Sequence, residues 1–136
     1  GFYETDLDKG TMVNEVRFPE LSSNQGAGYE KYEPSEGAYP VATVGALVEQ
    51  ENGVLTDVDI VTGAVEPGPV RVEDAEDVLR GEEPTEDLLV EAAQQAGEGI
   101  SPIDDSEGTA EFKQEMIKTL TKRALETAIE RAEGDQ

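Results

Sequence analysis

The sequence has no cysteine and no histidine. The first absence removes disulfides, thiolate ligands and a cysteine nucleophile. The second removes the imidazole base and, together with the first, the ligand sets of ordinary zinc and iron–sulfur sites. Positive charge is scarce: 10 Lys and Arg stand against 32 Asp and Glu, for a formal net charge of −22. A field of that sign opposes phosphate backbones and anionic membranes, so neither nucleic acid nor a membrane is expected as a partner. No run approaches the roughly 20 apolar residues of a membrane span, and the N-terminus lacks a basic region followed by an apolar one. The expectation is a soluble, cytoplasmic protein. An initiating methionine is missing too, and a chain opening on Gly1-Phe-Tyr3 reads as cut from something longer.

What remains is enough for one domain. A chain of 136 residues can bury roughly two-thirds of its unfolded surface. The apolar fraction is only 36%, but its Val, Leu, Ile and Ala fall into periodic runs that a disordered acidic tail would lack. The acids are scattered from Glu4 to Asp135 with no block of like charge. That spacing fits a uniformly acidic, halophilic surface better than a cation-binding or nucleic-acid-mimicking patch.

Periodicity predicts strands first and helices afterwards. Met12, Asn14, Val16 and Phe18 alternate with Val13, Glu15 and Arg17, which predicts a strand over residues 1–19 stopped by Pro19. Leu21–Gly28 is small and polar and reads as a linker. Val41–Val48 and Val54–Val65 predict two strands, the second with Val54, Thr56, Val58, Ile60 and Thr62 on one side and Asp57 and Asp59 on the other. Between them Asn52-Gly53 supplies the positive φ angles of a tight hairpin. Beyond Glu66-Pro-Gly-Pro69 a short helix is expected over Val72–Arg80, closed by Gly81. A second starts at Thr85 as N-cap and closes at Gly97. A third follows Thr109, with Phe112, Met116, Ile117, Leu120, Ala124 and Ala128 as its stripe. The expected fold class is α+β: an antiparallel sheet of about three to four strands with three helices on one face, a two-layer sandwich.

The chemistry-bearing candidates are few. Gly26-Ala-Gly28 has the first two glycines of a dinucleotide fingerprint but Lys31 where the third belongs, so a linker is favoured. Asp104-Asp105-Ser106-Glu107 is oxygen-rich, yet its spacing matches no calcium loop, and acids near the start of the third helix suit its dipole. No metal site and no catalytic residue is assigned. Among the scarce cations Lys31 stands out, because Tyr29 and Tyr32 flank it just before the hairpin.

Several blocks, in order, carry a family resemblance. Gly1–Gly10 through Asn14-Glu-Val-Arg-Phe-Pro19 resembles the end of the FAD-binding domain of the flavoprotein subunit of molybdenum hydroxylases, the carbon monoxide dehydrogenase family. Tyr29-Glu-Lys-Tyr32, Gly45-Ala-Leu-Val48, Asn52-Gly53, Thr62-Gly-Ala-Val-Glu-Pro67, Val70-Arg71, Pro102-Ile-Asp-Asp105, Gly108–Lys113 and Leu120–Leu125 resemble that subunit's C-terminal domain. The chain departs in carrying Glu33-Pro-Ser35 where relatives have basic residues, and Lys113 where many have arginine.

The resemblance implies residues 1–25 as the tail of a preceding FAD-binding domain plus linker, and 26–136 as the C-terminal domain. It implies an oxidoreductase subunit that carries FAD in its full-length form and receives electrons from a molybdopterin centre through [2Fe–2S] clusters. Those would sit on a molybdenum-binding large subunit and an iron–sulfur small subunit. The glycine-rich loops that hold FAD lie in the preceding domain, so this chain alone is expected to be inactive and not to bind FAD tightly. Lys31, with Tyr29, is implied on the flavin side. Two other readings compete: a stand-alone acidic binding or adaptor module of a halophile without a redox role, and a carboxylate-based hydrolase or isomerase.

Overall fold

The computed structural model describes residues 4–134. Four strands follow one another across one antiparallel sheet, in the order β1 (Gln25–Tyr32), β2 (Ala42–Glu51), β3 (Val54–Gly63) and β4 (Val70–Arg71). Three helices come after them: α1 (Glu73–Leu79), α2 (Glu86–Glu98) and α3 (Ala110–Ala132). All three lie against one sheet face, giving the expected α+β two-layer sandwich. Ala42, Val44, Ala46 and Val48 of β2 and Val58 and Ile60 of β3 meet Leu89, Ala92 and Ala96 of α2 and Ile117, Leu120, Ala124 and Ala128 of α3 in a single buried cluster. Residues two apart on a strand and three or four apart on a helix share a face, and those two periods build this core.

The local signals act as their chemistry dictates. Asn52 and Gly53 take φ of +53° and +84° and join β2 to β3 in a tight hairpin. Thr85 accepts from the Leu88 N–H and Thr109 from the Phe112 N–H, so each threonine caps a helix that begins where it was predicted. Gly81, at φ +83°, lets the chain leave α1 and return to the sheet, where its N–H donates to Leu55 O at 2.7 Å.

Five expectations fail, each for a physical reason. Residues 4–19 form no strand, and Met12, Val13, Val16 and Phe18 are exposed; alternation alone does not make a strand without a neighbour to pair with. The Gly1–Tyr3 start of that predicted strand lies outside the described residues. Gly26–Gly28 belongs to β1 rather than to a linker, because its glycines admit a helix and not a bend. A Cβ on Gly26 would lie 2.0 Å from Ala128 O, and one on Gly28 would lie 1.9 Å from Ala124 O.

On β3 the register slips between Glu49 and Gln50, so Thr56 is an extra residue and is exposed while Leu55 is buried. A bulge reverses the parity of everything on its far side. Gly97 lies inside α2, which ends at Gly99. It permits a close crossing, since a Cβ there would sit 2.6 Å from Lys118 Cγ. The α3 stripe rotates: Phe112 is 40% exposed, while Lys113 is 1% exposed. Lys113 is held inside because its Nζ donates to Ile103 O at 3.0 Å and pairs with Asp105 at 2.5 Å.

Candidate functional site

Packing the helices on one side leaves the other sheet face uncovered, and the register fixes which residues line it. Tyr29, Gly45, Val61 and Arg71 face one another in a row across all four strands. The next row outward is Lys31, Thr43 and Gly63. Toward the hairpin the rows become Leu47–Asp59 and Glu49–Asp57. Carboxylates therefore occupy the hairpin half of this face, and the half built by Tyr29 and Lys31 has none in its rows. That half holds a shallow depression of about 230 Å³ lined by Tyr29, Thr43, Gly45, Val61, Gly63 and Pro69. Gly45 lies in it with open space above its Cα.

Tyr29 and Lys31, the two candidates singled out by the sequence, both sit here, two residues apart on one side of β1. Tyr32, the third member of that cluster, does not. Strand alternation turns it to the helix side, where its ring meets Phe112 edge-on with centroids 6.0 Å apart. Tyr29 is 64% exposed. Lys31 Nζ pairs with Glu33 at 2.8 Å. The hydrogen bond to that carboxylate raises the Lys31 pKa against the opposing effect of burial, with a weaker contribution from Tyr29. The ammonium stays charged at neutral pH beside an exposed aromatic ring and a flat, small-residue surface.

A second depression, of about 260 Å³, lies where the strands end and is lined by Tyr39, Pro40, Ala64, Pro67 and Ile103 among others. Tyr39 is 88% exposed, and Ala64 takes a φ of +66°. A positive φ on a residue with a Cβ costs about 1 kcal/mol or more. Tyr39 was not among the residues picked out from the sequence, although an aromatic followed by proline outside any periodic run is a usable signal.

The far edge of the sheet is closed by charge. Glu76, on α1 and 0% exposed, accepts from the Ile60 N–H at 2.8 Å, from Arg71 at 2.8 and 2.9 Å, and from Arg80 at 2.7 Å. Burial alone pushes this carboxyl up. The hydrogen bonds from Arg71, the Ile60 N–H and Arg80 together outweigh that and hold it below the ordinary carboxylate range. Nothing in the sequence reading separates Glu76 from the other 31 acids. The signal was its position three residues before Leu79 on the buried side of a short helix.

The Asp104–Glu107 loop spends its acids internally. Asp104 accepts from the Ala110 N–H at 2.7 Å at the start of α3, and Asp105 holds Lys113. That ammonium lowers the Asp105 pKa. Among the described residues no group of three or more side chains is arranged to hold a metal ion, and no helix is long and apolar enough to cross a membrane.

The sequence and the fold are shared with known proteins. The chain is similar to the nicotine 6-hydroxylase medium subunit of Paenarthrobacter nicotinovorans, 30% identical over 92% of the chain and 44% of the relative. It is similar to the glyceraldehyde dehydrogenase medium chain of Sulfolobus acidocaldarius, 26% identical over the same shares. Among solved structures, carbon monoxide dehydrogenase from Hydrogenophaga pseudoflava, in a form lacking the Mo-pyranopterin moiety of the molybdenum cofactor, superposes with a TM-score of 0.89 at 29% identity. That match covers 95% of this chain and 45% of the other. The chain thus spans under half the length of the relatives it matches. Residues 27–128 match the family model described as the CO dehydrogenase flavoprotein C-terminal domain. That stretch takes in the whole of β2 and β3 and nearly all of β1 and α3, and the chain therefore belongs to the CO dehydrogenase flavoprotein C-terminal domain family.

Proposed function

We propose that this chain is the C-terminal domain of the FAD-carrying medium subunit of a molybdenum hydroxylase, and that its uncovered sheet half at Tyr29 and Lys31 faces the flavin. The observation that carries the reading is an uncovered sheet half whose rows hold Tyr29, Lys31 and small residues and no carboxylate of the strands, on a chain of net charge −22. An acidic protein that leaves one aromatic, small-residue surface poor in acids keeps it for contact. The depression of about 230 Å³ is smaller than the roughly 300 Å³ or more of an ordinary cofactor pocket. It suits one face of a ring system rather than a whole dinucleotide. No glycine-rich phosphate loop accompanies it, so the phosphates and most of the affinity would come from residues outside this chain.

In this reading residues 1–25 complete the preceding FAD-binding domain, whose strands give the exposed Met12–Phe18 segment the neighbours it lacks here. The bound flavin supplies the redox chemistry. The chain's own residues exclude water from one side of it and set the local charge: Tyr29 by covering surface, Lys31 by a fixed positive charge that Glu33 keeps in place. Electrons would arrive from molybdenum and [2Fe–2S] centres on a large and a small partner subunit, in the cytoplasm. The relatives' names span nicotine, glyceraldehyde and carbon monoxide, so the substrate is left to the large subunit. The acid-rich remainder of the surface is a halophilic adaptation. A stand-alone adaptor draws no support from these comparisons.

The test is the colour of two proteins. The full-length product of the gene should purify yellow, with flavin absorbance, and the 136-residue chain should be colourless and should not retain added FAD. A full-length product that is colourless and cannot be reconstituted with FAD would remove the reading.

A further inference from the structure

β1 forms the rim of the sheet and is bonded to β2 alone. The Gln50 N–H donates to Asn24 O at 2.9 Å, so even-numbered positions address β2. The antiparallel alternation then turns the N–H and C=O of Gln25, Ala27, Tyr29 and Lys31 outward. Two of these groups are taken: the Gln25 N–H donates to Ser22 O at 3.0 Å, and Ala27 O accepts from Arg131 Nη1 at 2.5 Å. Among the described residues the rest, from the Ala27 N–H to Lys31, meet no further strand and form an open ladder.

α3 runs beside this rim. Gly26 lies against Ala128 and Ala132, Gly28 against Ala124, and Tyr32 against Phe112, so steps up β1 match steps back along the helix. Arg123, Thr127 and Arg131 follow one another at intervals of four and share a stripe. The bond from Arg131 to Ala27 O places that stripe along the open edge. Among the described residues from β1 onward, Lys31, Arg71, Arg80, Lys113, Lys118 and Lys122 each pair with a carboxylate. Arg123 and Arg131 pair with none. Among the described residues from β1 onward, the two cations without an acid thus share the stripe of α3 that runs beside the outer edge of β1.

The spacing defines what would fit. Arginines eight residues apart on a helix stand about 12 Å apart along its axis. An extended strand covers about 12 Å in roughly four residues, an even number, so both facing positions fall on one side of it. We propose that the open edge of β1 accepts an extended segment of a partner protein by strand addition, with two carboxylates four residues apart facing Arg123 and Arg131. The inference stands apart from the flavin reading, since that concerns the sheet face and this its rim. Cations along an edge can also simply discourage strand pairing, and the experiment separates the two.

The probe is a capped nine-residue peptide with Glu at its third and seventh positions and Val and Thr elsewhere. A matched peptide carrying Lys at those positions is the control. Both are titrated into the isotopically labelled chain in 0.5 M KCl, and amide exchange is read by NMR. The Glu peptide should slow exchange at Ala27, Tyr29 and Lys31 and bind about tenfold or more tighter than the Lys peptide, and Arg123→Glu with Arg131→Glu should invert that preference. The preference is read on the unaltered chain, so it survives misfolding of the variant. The proposal is overturned if neither peptide protects those amides or if both bind equally. Protection that rises with protein concentration alone, marking a second copy, or that is already present in the free monomer, marking the chain's own N-terminal segment, overturns it as well.

Discussion

Replacing Glu76 tests the energetics of this fold most sharply, because one carboxylate closes the edge that β4 is too short to cover. β4 pairs only with Val61 and Thr62 of β3. Beyond it the Ile60 N–H ends on Glu76, Val58 O on Arg80 at 2.9 Å and Leu55 O on Gly81. Glu76→Ala would strand the Ile60 N–H and take from Arg71 and Arg80 the carboxylate they share. Removing one partner of a buried charge pair costs about 3–5 kcal/mol. Arg71 and Arg80 are half-exposed and keep Asp59 and Asp57 as partners, so the lower end, about 3 kcal/mol, is expected. For a domain of this size that corresponds to a drop in Tm of roughly 10 °C.

Glu76→Gln keeps an acceptor for the Ile60 N–H and isolates the charge. Its sign with pH follows from the depressed pKa. The ionised form is favoured in the folded state, so the difference between wild type and Gln variant is fully present above the unfolded carboxyl pKa of about 4.3 and is lost as pH falls through the lower folded value. The assay is urea denaturation followed by circular dichroism at pH 7 and at stepped acid pH. A loss under about 1 kcal/mol at pH 7, or a wild-type minus Gln difference that does not shrink in acid, would refute the account of the edge.

Two glycines of the sheet should part company. Gly28→Ala drives a Cβ into the α3 backbone and should destabilise by about 3 kcal/mol or more, whereas Gly45→Ala meets open space and should be neutral or stabilising by roughly 0.5 kcal/mol. Equal effects in thermal melts would contradict the assigned faces. If the acidic surface is a halophilic adaptation, Tm should keep rising with KCl beyond about 1 M, where the Debye length has already fallen to about 3 Å. A plateau below that concentration would reduce the effect to ordinary screening of self-repulsion.

The fold was legible wherever a local chemical rule had no competitor. Asn52-Gly53, Thr85, Thr109 and Gly81 act through their own backbone, and each sits where the sequence put it. Signals failed where the deciding partner was remote. Gly26 and Gly28 look like a linker until Ala124 and Ala128 press on them. The parity of β3 turns on an extra residue at Thr56 that only the register with β2 exposes. Lys113 and Glu76 look solvated until Asp105, Arg71 and Arg80 come round to meet them. At the candidate site Tyr29, Lys31 and Tyr32 were picked out as one cluster, but with 21–28 read as a linker no strand was expected there, and only β1 separates Tyr32 from the other two. That the rows of Tyr29 and Lys31 hold no acid was not readable, because it depends on which rows Asp57, Asp59 and Glu49 join.

The central claim is that Lys31 and Tyr29 face the flavin, and the midpoint potential of the bound flavin in the full-length subunit tests it most directly. A positive charge favours the reduced, more anionic flavin, so Lys31→Met should lower the potential. Partial exposure and the Glu33 pair limit the shift to the order of 10–30 mV, where 30 mV is about 1.4 kcal/mol for two electrons. Flavin content should be unchanged, and Lys118→Met, on the helix side, should leave the potential where it was. A potential that moves with neither Lys31→Met nor Tyr29→Ala, or that moves equally with Lys118→Met, would contradict the placement of the flavin on this face.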